Sequence, residues 1–365
     1  MYPETFTGFQ IDNAETWTTF HKREFQPKPF EDFDVDVEIQ ACGICGSDIH
    51  TISGEWGPKR FPLCVGHEIV GKAVAVGPKV TLVKVGQRVG VGAQIFACLE
   101  CKQCKKDNET YCQHQIDTYG AVWPKTGIIS QGGYASHIRA HELTSITQHW
   151  VFPIPDALET SLVAPMLCAG LTAWSPLVRN GAGKGKKVGI VGLGGIGHFG
   201  VMFAKALGAE TWAISRSHAK EADALKLGAD GFIATQDPAW NEPHRMSFDL
   251  IVNTANSSEG FDLGQYLSLL DVHGKWISVG LPPGAGQEVK SHMFMENGCL
   301  IGASHLGSRK ETLAMLQLAA EKGVKSWVEE VPISKAGLAE AVTRLKNNDV
   351  RYRFTLTDFD KEFHA

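Results

Sequence analysis

The sequence predicts an α/β protein of two domains, one β-rich and one built on a doubly wound parallel sheet. Three observations predict it. A chain of 365 residues corresponds to about two domains. Its first part carries short alternating runs of apolar and polar residues, broken by Gly-containing turns. From Lys186 onward, strand-like and helix-like segments alternate, the pattern of a parallel sheet.

The elements follow in order. Val35–Gln40 alternates acidic and apolar residues and reads as a strand. Ile69–Val76, Arg88–Val91 and Tyr134–Arg139 read as further strands, and this β-rich domain ends near Pro155. Asp156–Ala164 begins helical, and Cys168–Val178 continues as a helix. Lys186–Val191 is a short apolar strand, followed by a glycine run and the helix Phe199–Leu207. Glu210–Ile214, Phe248–Thr254, Phe261–Leu270, Lys275–Val279 and Leu300–Ser304 carry the alternation on, and Lys310–Lys322 is a clear helix. There is no internal repeat and no low-complexity stretch.

Four cysteines, Cys98, Cys101, Cys104 and Cys112, form the pattern C-x2-C-x2-C-x7-C. Four thiolates this close in sequence can surround one tetrahedral zinc. Disulfides and an iron–sulfur cluster use cysteines too, and the spacing alone leaves them open. A closed four-thiolate site offers no position to a substrate, so this lobe is scaffold.

A second set consists of Cys45, then His67 twenty-two residues on, then the distant Cys168. Two thiolates and one imidazole make the open, catalytic kind of zinc site. Two zinc ions per chain are therefore expected. Cys42, Cys64 and Cys299 read as small core residues.

Gly192-Leu193-Gly194-Gly195-Ile196-Gly197 fits G-x-G-x-x-G between a strand and a helix. This is a Rossmann-type dinucleotide site: Gly192 permits the tight turn, Gly194 lets the backbone approach the pyrophosphate, and Gly197 lets helix and strand pack closely with the helix N-terminus facing the phosphates, Gly195 and Ile196 completing the cofactor-binding run. The next strand ends in Ser215-Arg216-Ser217, with Lys220 beyond and no carboxylate. A ribose 2′-hydroxyl calls for Asp or Glu there, whereas hydroxyls and cations suit a 2′-phosphate. The expected cofactor is NADP(H).

These motifs have a familiar order. Cys45-x-Ser47-Asp48-x-His50, Gly66-His67-Glu68, the four-cysteine lobe and the glycine fingerprint together resemble a zinc-dependent medium-chain alcohol dehydrogenase. Gln131-Gly132-Gly133-Tyr134-Ala135, the run from Gly192 to His198, and Gly307-Ser308-Arg309 are similar to the NADP-dependent cinnamyl alcohol dehydrogenase branch. The resemblance runs from about residue 30 to about residue 355.

The resemblance implies a GroES-like catalytic domain at 1–155 and 308–365, with the dinucleotide-binding domain at 156–307. It implies that Glu68 can approach the catalytic zinc. It also implies that Ser47 contacts the alcohol oxygen and passes a proton, through the cofactor ribose, to His50. Asp48 is placed to orient His67. The implied substrate is an aldehyde or primary alcohol, aromatic, allylic or medium-chain aliphatic, with Trp56, Tyr119 and Trp123 as pocket candidates. Asp117 falls about where the plant enzymes carry a pocket tryptophan, which favours a broad-specificity aldehyde reductase. A homodimer is the expected assembly.

Composition fits this reading. The hydrophobic share of 43% suffices for substantial cores, and a net charge of −5 lacks the basic stripe of a nucleic-acid binder. Met1–Phe20 has no apolar signal core, and no run approaches ~18 apolar residues, so no membrane span is expected. Six of nine cysteines act as metal thiolates in this scheme, which calls for a reducing compartment, the cytoplasm. Two alternatives within the fold are an NAD-dependent polyol dehydrogenase and a catalytically silent zinc-binding relative. The intact ligand set opposes the second, and the missing carboxylate after Ile214 opposes the first.

Overall fold

A computed structural model describes residues 4–57, 59–141, 150–256, 260–281 and 288–364. The chain forms two units: Met1–Cys168 with Ser308–Ala365, and Ala169–Gly307.

In the first unit, β1 (Phe6–Gln10) and β2 (His21–Phe25) pair antiparallel. Then come β3 (Asp34–Ile44), α1 (Gly46–Ile52), β4 (Glu68–Val76), β5 (Arg88–Val91), β6 (Gln94–Phe96), β7 (Ile116–Asp117), β8 (His137–His141), β9 (Val151–Pro153) and α2 (Thr160–Val163). The spine is β3, which pairs antiparallel with both β4 and β8. Its Val35, Val37, Ile39 and Ile44 enter a core shared with Val89, Val91 and Ile138.

Two acids of this strand, Asp34 and Asp36, are fully buried. Arg139 on β8 explains Asp36, donating to both its oxygens at 2.7 and 2.8 Å. Lys28 and His141 hold Asp34. Acids in a strand can thus be interior when a neighbouring strand supplies the cations.

The segment 156–168 was expected in the second domain and belongs to the first unit instead. Its Val163, Ala164, Met166 and Leu167 are buried. A Cβ on Gly90 of β5 would lie 2.7 Å from the Leu167 side chain, so glycine makes room for this packing. A 3₁₀ turn over Ala164–Leu167 includes Pro165.

The second unit runs α3 (Ala169–Arg179), β10 (Lys187–Val191), α4 (Gly197–Ala206), β11 (Glu210–Ser215), α5 (Glu221–Lys226), β12 (Gly231–Ala234), β13 (Phe248–Asn253), α6 (Leu263–Leu267), β14 (Leu270–Ser278) and β15 (Leu300–Ala303). All its strands pair parallel, in the order β12-β11-β10-β13-β14-β15. This is the doubly wound sheet expected from the alternation.

The chain then returns to the first unit as α7 (Arg309–Lys322), β16 (Val328–Pro332), α8 (Lys335–Lys346), β17 (Arg353–Thr357) and α9 (Phe359–Phe363). Ser308 caps α7, its hydroxyl accepting from Glu311 N while the Glu311 carboxylate accepts from Ser308 N. Strand β17 pairs antiparallel with β3 and parallel with β16, which forms that edge of the first unit's sheet. Among the described residues, no single helix is long and apolar enough to cross a membrane.

Candidate active site

The end of β3 delivers Cys45 to the start of α1, in extended conformation just before the helix. His67 directly precedes β4, and Gly66 beside it has φ +102°, a conformation that favours glycine. Cys168 was expected on a helix; it sits in the break before α3, where the 3₁₀ turn ends and the chain redirects. These residues meet. One donor atom each from Cys45, His67, Glu68 and Cys168 lies within 4.8 Å of the others, and all four side chains are buried. His67 Nε2 is 3.1 Å from Cys168 Sγ. Ser47 Oγ is 3.6 Å from Cys45 Sγ.

Asp48 organises the set. Fully buried, it accepts from Cys45 N at 2.9 Å, Gly66 N at 3.1 Å, His67 Nδ1 at 2.9 Å and the Tyr134 hydroxyl at 3.0 Å. A carboxylate accepting from Nδ1 leaves His67 Nε2 free to ligate. The Cys45 thiol is drawn well below its usual range by its hydrogen bond with Cys168, with His67 and Arg353 adding. Burial opposes charge on His67, yet Asp48 and Cys45 raise its affinity for a proton. Burial pushes the Glu68 carboxyl up to about 7, with Arg353 opposing. This density of mutually perturbed thiol, imidazole and carboxyl groups suits a buried cation.

The four-cysteine lobe closes equally well. Sulfur separations are 3.5 Å for Cys101–Cys104, 3.4 Å for Cys98–Cys112 and 4.0 Å for Cys98–Cys104. Thiolates about 2.3 Å from a tetrahedral zinc stand roughly 3.8 Å apart. No disulfide forms: all nine cysteines are free. Leu99 and Asp107 take left-handed turns, at φ 60° and 55°, to wrap the lobe. Glu109 within it accepts from Arg309 N at 2.7 Å and Arg309 Nε at 2.8 Å, both side chains buried.

On α1, His50 Nδ1 bonds to Glu55, which in turn binds Lys346 of α8. Trp56 stacks on His50, with ring centroids 5.1 Å apart. The Tyr119 ring lies 5.5 Å from that of His67. Trp123 packs on Phe96 and under the Lys28 ammonium.

In the second unit the fingerprint forms a cradle. Gly192 has φ +86°, and a Cβ on Gly197 would fall 1.8 Å from Gly192 O. A Cβ on Gly194 would meet nothing within 4 Å, so this turn is open outward. The Thr254 hydroxyl donates to Gly192 O at 2.7 Å and braces it. Gly195 and Ile196 complete the turn, with Ile196 at the cap of α4. Ser215 ends β11, and Arg216, Ser217 and Lys220 follow. Lys220 Nζ donates to Leu193 O at 2.8 Å, so this cation stands at the glycine turn.

Comparison with known proteins agrees. Residues 31–156 match the family described as the alcohol dehydrogenase GroES-like domain, and residues 195–321 match the zinc-binding dehydrogenase family. The chain belongs to the zinc-binding alcohol dehydrogenases. This dehydrogenase is 50% identical over 364 residues to NADP-dependent alcohol dehydrogenase 6 of Saccharomyces cerevisiae, covering 99% of each chain. It is 40% identical to NADP-dependent alcohol dehydrogenase C 1 of Mycolicibacterium smegmatis, covering 93% of each. The cinnamyl alcohol dehydrogenase SbCAD4 of Sorghum bicolor superposes with TM-score 0.89 at 34% identity, covering 97% of each chain. The NADP(H) complex of a Helicobacter pylori enzyme, CAD, gives 0.86 at 30% identity, covering 97% of this chain and 98% of that one.

Several residues of the dehydrogenase escaped the sequence reading. Arg353 reaches Glu68 from the far end of the chain. Gly43 makes space for that carboxylate, since a Cβ there would lie 2.0 Å from Glu68 Oε2. Tyr134, Glu55 and Lys346 complete the surroundings. An arginine flanking an apolar strand, as in Arg353-Phe354-Thr355-Leu356, is the one signal that could have prompted a search for a buried partner.

Proposed function

We propose that this chain is an NADP(H)-dependent zinc dehydrogenase that interconverts aldehydes and primary alcohols, working physiologically as a broad-specificity aldehyde reductase. The observation that carries the reading is the buried convergence of Cys45, His67 and Cys168 with the Ser47 hydroxyl beside it. Bound zinc supplies a Lewis acid, and the nicotinamide supplies or accepts hydride.

The chain's own groups do the rest. Cys45, His67 and Cys168 hold the metal, with Asp48 fixing the imidazole tautomer. Glu68, clamped by Arg353, is metal-associated and balances charge beside the ligands. Ser47 Oγ holds the proton at the substrate oxygen, and His50 holds it further out, towards solvent. Cys98, Cys101, Cys104 and Cys112 hold the structural zinc. Gly192, Gly194, Gly195, Ile196 and Gly197 receive the pyrophosphate. Ser215, Arg216, Ser217 and Lys220 take the 2′-phosphate, supported by the absence of a carboxylate at the end of β11. Tyr119, half-buried beside His67, is the strongest pocket candidate.

A homodimer and a cytoplasmic setting belong to the same reading. Strand β15 lies at the edge of its sheet with Leu300 and Ile301 exposed, an apolar edge that a second copy can cover. Six thiolate ligands need a reducing environment. The test is a panel of aromatic, allylic and aliphatic aldehydes followed by NADPH absorbance, alongside zinc content and light scattering. No NADPH turnover with any aldehyde by the zinc-replete protein would overturn the proposal.

A further inference from the structure

Between His50 and solvent stand two groups, one five residues along the chain and one from its far end. His50 Nδ1 bonds to Glu55 Oε2, and Glu55 Oε1 is gripped by Lys346, the last residue of α8. We propose that Lys346 is a positioning residue of the proton relay, neutralising the carboxylate that faces His50 so that the imidazole remains available as a base. The proposal rests on the relay reading given above.

Three features of the geometry support it. A carboxylate only accepts, so the neutral imidazole carries its hydrogen on Nδ1. Nε2 then bears the lone pair, and it faces the start of α1, where a Cβ on Gly46 would lie 3.9 Å away. The ring is held in that orientation by the stacked Trp56, at an interplanar angle of 21°. The basic nitrogen therefore faces the first residue of α1, Gly46.

The charge on Glu55 is pinned. Its hydrogen bond with Lys346 is the largest influence holding its carboxyl below the usual range, and His50 adds to this against the cost of burial. An unopposed carboxylate beside an imidazole favours the imidazolium. Lys346 offsets that pull. Other charges near this corner are committed elsewhere. Arg344 on α8 pairs with Glu329, Glu340 and Asp349, and Asp48 on α1 turns inward to His67. Among the described residues, no other charged side chain forms an ion pair with His50 or Glu55.

The signs separate this role from a structural one. Alcohol oxidation needs an unprotonated His50, so its rate falls on the acid side. K346M leaves Glu55 unneutralised and should move that acid limb to higher pH, by roughly half a pH unit for charges at this spacing near a surface. E55Q removes the carboxylate while leaving the ammonium, and should move it to lower pH. K346R should restore the parent position.

The experiment uses the holoenzyme and two readouts. One is the pH–rate profile of alcohol oxidation for the parent, K346M, K346R, E55Q and H50Q. The other is the NMR titration of the His50 ring proton, assigned by its loss in H50Q. Opposite displacements of the His50 midpoint in K346M and E55Q support the proposal. A midpoint in K346M that coincides with the parent's overturns it. A parent-like rate profile in H50Q would defeat the relay reading, while the NMR comparison still decides the role of Lys346.

Discussion

Arg353, the first residue of β17, donates to both carboxylate oxygens of Glu68, the first residue of β4. The pair is buried beside the thiolates, so each charge depends on the other. R353M should lower unfolding stability by about 3–5 kcal/mol, the usual cost of orphaning a buried charge. The double variant R353M/E68Q should recover part of that loss, measured by denaturant titration. A fully additive double variant would mean that the pair is not coupled.

The same pair sets a pH dependence in metal-stripped protein. Burial raises the Glu68 carboxyl from its ordinary value of 4.5 to about 7 in the fold. An acid whose folded pKa is raised binds its proton more tightly when folded. Its contribution is therefore full below about 4.5 and is lost as pH rises towards about 7. E68Q should flatten the stability profile across that window, as read by thermal melts at stepped pH.

Metal analysis of purified protein should return two zinc ions per chain, since two separate donor sets are formed. C101S should lose one zinc and melt at lower temperature. C168S should lose activity with a smaller effect on melting, because the lobe remains closed. One zinc per chain with full activity would sink one of the two assignments.

NADPH should be preferred over NADH, in catalytic efficiency, by well over tenfold. R216D should weaken NADPH binding strongly, because it adds repulsion with the 2′-phosphate while removing a cation. Equal efficiency of the parent with both cofactors would refute the assignment of Ser215, Arg216 and Lys220.

S47A should be more damaging than H50Q. It removes the hydroxyl next to Cys45, which amine buffers cannot reach, whereas H50Q should partly recover at high pH or with added amine. Steady-state oxidation of one aromatic alcohol, with and without buffer amine, distinguishes the two. A Ser47→Ala enzyme as active as its parent would show that the proton leaves elsewhere.

What was legible in the sequence is what short-range geometry dictates. The lobe cysteines lie within one loop, and the glycine fingerprint is a single strand–turn–helix, so spacing brings each set together, although for the cysteines it left disulfides and an iron–sulfur cluster open. Asp48 could be placed because it sits three residues beyond Cys45 on the same turn. Arg353 and Lys346 could not, since 285 and 291 residues separate them from Glu68 and Glu55. The burial of Asp34 and Asp36 was not legible either, because the cations that hold them come from other segments. That residues 156–168 group with the first unit was not legible for a related reason, because it depends on Leu167 packing against the distant Gly90.

The route of the chain at Cys168 and Ser308 has one more consequence. The second unit is an excursion that departs immediately after Cys168, a proposed metal ligand, and returns immediately before Arg309, the residue held by the lobe's Glu109. Its own two ends lie side by side, since a Cβ on Gly307 would come within 2.7 Å of the Leu171 side chain. Such a hairpin-like stem makes residues 169–307 a cassette. The nucleotide-binding residues are thus carried on a single continuous insert whose entry and exit lie together, so its path adds one closed loop to the first unit's chain and leaves that unit's strand order unbroken.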